Sequence, residues 1–135
     1  MPSKCARIVI CITSVLSIGF GCVSIGSTNR VTAPTSDFDR TFVAFNFIGM
    51  LLMVPVFILA ITSHFFCRAK VVCPGMMIAL STLSCICYII SLAVFEVITP
   101  AIPSTTVMAV DGWLFAALMG SFSSLLCSIE LLISH

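Results

Sequence analysis

The side chains able to do chemistry in this chain are few and scattered. Two histidines, His64 and His135, stand with eight cysteines, five acids and six basic residues among 135 positions. The spacing His64-x2-Cys67-x5-Cys73 invites a zinc reading, because imidazole and thiolate are that ion's usual ligands. It has no fourth ligand nearby and matches no common structural spacing, so no metal is expected. Cys85 and Cys87 lie two apart, which turns them to different faces of a helix and makes them poor partners for one ion. Cys5, Cys67 and Cys73 stand near basic residues and read better as sites of reversible palmitoylation. No Gly-rich phosphate loop, nucleophile elbow or His-Glu-x-x-His motif occurs. No catalytic residue and no cofactor are therefore expected, and the chain reads as non-enzymatic.

The elements that must position these groups are four long apolar runs, at roughly 8–26, 43–63, 76–98 and 113–133. Hydrophobic residues make up 60% of the chain and charged ones 8%, far from the roughly 25% charge of a soluble domain. Each run is close to the ~20 helical residues that cross a ~30 Å hydrocarbon layer. Backbone groups cannot stay unpaired in lipid, so the runs must be helices. The predicted fold is all-α: a single four-pass transmembrane domain over 1–135, a four-helix bundle with short loops.

Charge placement predicts the orientation. Lys4 and Arg7 precede the first run, and Arg68 and Lys70 lie between the second and third, on the same side of a four-pass chain. The other side has Arg30 and Arg40 but also Asp37, Asp39, Glu96 and Asp111. The positive bias places both termini in the cytoplasm. Topology accounts for all six basic residues, so no nucleic-acid partner is expected. A basic start and the small residues at Ser24-Ile25-Gly26 would also fit a cleaved secretory signal, but Ile8–Ile25 is longer than a signal core. A retained first helix is the better expectation. The outer loops lack cysteine, so free thiols are expected throughout.

The helices differ in what they offer. The first carries two stripes of small residues, Gly19, Cys22 and Gly26 on one and Ser14, Ser17, Gly21 and Ser24 on the other. The second contains Pro55, which predicts a kink, and Asn46, which is expected to bond a neighbour or interfacial water. The third ends at Glu96. An acid deep in lipid would be functional by default, but Glu96 lies within a turn of Pro100 and reads as interfacial. Asp111 reads as the N-cap of the fourth helix and Trp113 as an interfacial belt residue. The fourth helix has a small residue at every fourth position, Gly112, Ala116, Gly120, Ser124 and Ser128. Such a ladder favours close helix crossing.

Both termini inside, a short inner turn and two outer loops give a layout that resembles claudin-like and MARVEL-like tetraspan membrane proteins. The resemblance covers the whole chain as topology. The Trp-Gly-Leu-Trp-type motif and cysteine pair of claudin-like proteins are absent, as is the Cys-Cys-Gly motif of tetraspanins, so adhesion or barrier roles do not carry over. Small multidrug exporters are similar in outline but place a Glu in the middle of helix one, where this chain has none. The expected role is lateral association with membrane lipids around it: an accessory subunit of a channel, transporter or other complex, or a self-assembling tetraspan. The alternative is an oligomeric pore or small transporter with a Ser/Thr-lined pathway and Glu96 and Asp111 near its outer mouth. The expected location is the plasma membrane or secretory pathway, with an organellar membrane as the alternative.

Overall fold

Each apolar run forms one helix, and most of the helices outlast their runs. The computed structural model describes residues 2–26, 37–63, 72–98 and 104–134. Helix α1 spans Pro2–Gly26, α2 Asp37–Thr62, α3 Val72–Ile98 and α4 Ser104–Ile133, with no strand among the described residues. The stretches apolar enough to cross a membrane are Lys4–Ser24, Arg40–Thr62, Val72–Val97 and Asp111–Ile133, close to the predicted runs. The extra turns lie at helix starts, beyond the most apolar part of each run. Pro2 opens α1 because a first helical residue needs no N–H. In α4 the helix begins at Ser104, so Asp111 is an interior residue two turns along and not an N-cap. Hydropathy marks the buried length of a helix, whereas hydrogen bonding continues it into water.

Helix α2 runs unbroken through Pro55, whose ring is exposed on the outer surface. Its missing N–H and its ring act on the preceding turn of α2 itself, and Pro55 lies on the outward face of the helix rather than in a packed seam. Four threonines return their hydroxyls to their own helix: Thr13 to Val9 O at 2.8 Å, Thr41 to Asp37 O at 2.9 Å, Thr62 to Ile58 O at 2.8 Å and Thr82 to Ile78 O at 2.8 Å. This is how a hydroxyl that faces hydrocarbon stays satisfied.

The helices form an up-down ring in which α1 packs on α2 and α4, α3 packs on α2 and α4, and diagonal pairs barely touch. The α1–α4 and α2–α3 seams are the most extensive. Buried positions recur at steps of three and four: Ile10, Ser14, Ser17, Gly21 and Ser24 on α1; Met77, Ser81, Ser84, Tyr88, Ser91 and Phe95 on α3; Leu114, Ala117, Ser121, Ser124, Ser128 and Leu131 on α4. That spacing is the seam of an antiparallel bundle with coiled-coil packing. Large apolar side chains face outward instead, among them Ile8, Ile12, Phe47, Leu51, Ile58, Leu83, Phe115 and Leu126, each about half exposed. A soluble protein does not present so continuous an apolar surface. Lipid does not penalise it, and small polar residues are free to take the interior.

One cysteine corrects the expectation of free thiols. Cys73, at the start of α3, is disulfide-bonded, whereas the six other described cysteines are free. Judged by its cysteine-free outer loops the chain needs no disulfide; the bond lies at the opposite end, where a short connection joins α2 to α3. Bonded and buried, Cys73 drops out as a palmitoylation site. Cys5 stays exposed, and Cys67 lies outside the described residues.

Candidate helix-packing site

The middle of the bundle is a polar layer between two apolar plugs. At the end where α1 finishes, Phe42, Met50, Tyr88, Phe95, Leu114 and Ala117 pack together, with the Phe42 and Phe95 rings 5.3 Å apart. At the Lys4 end the plug is Ala6, Ile10, Met53, Val56, Ala60, Met77 and Leu131. Between them Ser17 Oγ donates to Ala117 O at 2.9 Å and Ser84 Oγ to Gly49 O at 2.9 Å. Each serine has one proton, and both are now used. Ser121 Oγ, 2.9 Å from Ser17 Oγ and 3.3 Å from Ser84 Oγ, is then the donor in this trio, its single proton serving one of the two contacts at a time. Three helices are tied at one level. Nearer the α1 finish, Ser91 Oγ donates to Phe42 O at 3.2 Å. Asn46 Nδ2 donates to Ser24 Oγ at 3.2 Å, the neighbour contact expected for Asn46.

One step toward the Lys4 end lie Ser14, Ser81 and Ser124, each wholly buried and without a hydrogen-bond partner among the described residues. They are three residues from Ser17, Ser84 and Ser121 on their respective helices, and antiparallel α4 makes all three displacements point the same way. An unpaired buried hydroxyl costs about 1–3 kcal/mol. A paired one between membrane helices contributes only about 0.6 kcal/mol on average. Ser84→Ala is accordingly expected to lower thermal stability in detergent by about 0.5–1.5 kcal/mol, whereas Ser81→Ala is expected to be neutral or stabilising. An equal loss in both would show that an ordered water bridges the second layer.

The predicted packing residues fall into two groups. Gly120 sits inside the α1–α4 seam: a Cβ there would lie 3.2 Å from Ser17 Cβ and 3.2 Å from Thr13 O. Ser124 is also interior. Gly19 and Gly112 face out, with no described residue within 4 Å of the place a Cβ would take. Cys22 is exposed, its thiol 3.6 Å from Met50 Sδ, and Gly26 closes α1. The ladder divides because residues four apart turn about 40° further round the helix at each step. It starts on the lipid side at Gly112, passes half-buried Ala116 and Gly120, and ends inside at Ser124 and Ser128.

Outside this seam, Phe20, Gly112, Trp113 and Ala116 line a shallow groove of about 480 Å³. Its aromatic edge is a tilted pair, Phe20 and Trp113, with centroids 5.4 Å apart. Glu96 is exposed on α3 and Asp111 half-buried on α4, at the end of the bundle where Phe42 and Phe95 pack. Tyr88 and Gly49 were not apparent as packing residues from local spacing. Their signal is the same three-and-four rhythm of small residues on α3 and α2. Among the described residues no three His, Cys, Asp or Glu side chains gather where an ion could be held. No protein-family model, curated protein or solved structure matches the chain, so no family match supports the claudin-like or MARVEL-like layout.

Proposed function

We propose that this four-pass protein acts without catalysis, by lateral helix packing, as an accessory subunit of a larger membrane channel, transporter or other complex. Both termini are assigned to the cytoplasm by the bias of Lys4, Arg7, Arg68 and Lys70. The observation that carries the reading is the groove outside the α1–α4 seam. A glycine within a helix costs about 1 kcal/mol relative to alanine. Gly112 recovers none of that from the described residues, because none of them approaches its Cβ position. Its smallness, with that of Ala116, leaves room in the groove for the backbone of another helix.

A helix of a different protein fits this groove better than a second copy. A two-fold dimer would set groove against groove and leave both unfilled, while head-to-tail contacts grow into chains unless they close. The pore reading has less behind it, since the serines that would line a pathway face the interior of the single chain and are closed off at both ends.

The test uses protein extracted from native membranes in mild detergent through a C-terminal tag, which antibody should reach only in permeabilised cells. Gly112→Leu is expected to keep the wild-type melting temperature and to lose the high-mass assembly, while Leu83→Phe on the lipid face of α3 keeps both. An assembly unchanged by Gly112→Leu would sink the groove. Ion flux through liposomes holding the pure protein, abolished by Glu96→Gln, would favour the pore.

A further inference from the structure

A second groove, between α1 and α2 at the Lys4 end, has a different chemistry. We infer that it holds one anionic phospholipid, with the phosphate against Lys4 and Arg7 and an acyl chain along Ile8, Ile12 and Ile61. The groove measures about 410 Å³, and its lining is Lys4, Arg7, Ile8, Cys11, Ile12, Ala60 and Ile61. Two cations stand at one end of an otherwise apolar track. From Lys4 to Ile12 the helix rises about 12 Å, so Lys4 sits at headgroup depth when Ile12 lies at acyl depth, and the long Arg7 side chain can extend back toward the headgroup level. The membrane-crossing stretch of α1 begins at Lys4, which sets the same level.

Charge selects the occupant. The first turn of α1 contains no acid, and the helix N-terminus adds its own partial positive charge to that of the two side chains. Asp37, Asp39, Glu96 and Asp111 belong to the opposite end of the bundle; of the described acids only Glu130 shares this one, exposed on α4. Lys4, in the first turn, opposes the helix dipole, and an anion beside it reverses that penalty. A zwitterionic headgroup brings its own cation into the same field and gains less. Basic clefts between membrane helices at the cytoplasmic side suit anionic headgroups for this reason. The α1–α2 seam is also thinner than α1–α4, which leaves the chain space beside Ala60.

The experiment measures lipid retention by the full-length protein in detergent, by native mass spectrometry, with dioleoylphosphatidylglycerol and dioleoylphosphatidylcholine supplied in equal amounts. Wild type is expected to retain phosphatidylglycerol preferentially, and each of Lys4→Gln and Arg7→Gln to weaken the preference about fivefold. Ile8→Trp keeps both charges but fills the groove with a bulky ring from an exposed position, and is expected to lose the bound lipid. Equal retention of the two lipids by wild type overturns the proposal. So does an Ile8→Trp variant that keeps the preference, since the charges would then act only as a diffuse surface attraction. Binding is read on the isolated protein, so its outcome is independent of whether the α1–α4 groove has a partner.

Discussion

Gly120→Leu is expected to melt the bundle well below wild type in the same detergent, with assembly lost as a consequence of unfolding rather than as its first effect. The glycine lets α4 lie against α1 so closely that one added carbon meets backbone on the other side, Thr13 O at 3.2 Å and Ser17 Cα at 3.4 Å. Backbone cannot rotate aside as a side-chain tip can. Leucine adds three more carbons, so the helices must separate. That breaks the Ser17–Ala117 bond and strains the Ser17–Ser121 contact, both of 2.9 Å. Overpacking of this kind costs about 1–3 kcal/mol, occasionally more, and lost hydroxyl bonds put this case at the top of that range. Gly120→Ala, with a single carbon at 3.2 Å, should lose far less. The contrast with Gly112→Leu is the decisive comparison, because both residues belong to one ladder yet only Gly120 is enclosed. If Gly120→Leu kept its melting temperature and lost only its assembly, Gly120 would face a partner and the α1–α4 seam described above would be wrong.

The four helices could be read from the sequence because a lipid-facing surface is written in composition: any residue that touches hydrocarbon must be apolar, whatever the partner. What faced inward was harder to read. In a soluble bundle the apolar residues mark the core, but here both sides of a helix are permitted to be apolar, and small residues carry the distinction. Two stripes on α1 looked equivalent; the structure encloses Ser14, Ser17, Gly21 and Ser24 and leaves Gly19 and Cys22 outside. On α1 both stripes step by three and four, so only the packing of the helices separates them; on α4 the discriminating signal is the period. Steps of three and four hold one face toward the axis, whereas constant steps of four wind off it. The grooves were not legible at all, since each needs two helices at a set distance. Nor was the Cys73 bond, since cysteine-free outer loops gave no reason to expect one.

Tyr88→Ala should be the most damaging truncation in the interior, and Tyr88→Phe close to harmless. The ring is fully buried and lies over two glycines of neighbouring helices. A Cβ at Gly49 would be 3.3 Å from its Cε1, and one at Gly21 would be 3.0 Å from its hydroxyl. Two helices have given up side chains to admit one ring, so on its two glycine sides only the flexible Met50 stands ready to fill the space it leaves. Large aromatic truncations in closed cores cost about 3–5 kcal/mol. The lower end applies here, because a membrane interior lacks the water-transfer part of that cost and the loss is chiefly of dispersion contacts. The hydroxyl itself contributes little: its acceptor, Ser17 O, is 3.5 Å away, at the outer limit of a hydrogen bond. Unfolding in mixed detergent and SDS micelles should therefore place Tyr88→Phe within about 1 kcal/mol of wild type and Tyr88→Ala far from both. Were the two variants equally damaged, the hydroxyl and not the ring would be holding α3 to α1, and the layer of Ser17, Ser84 and Ser121 would be a network centred on Tyr88 rather than three helices tied beside a space-filling plug.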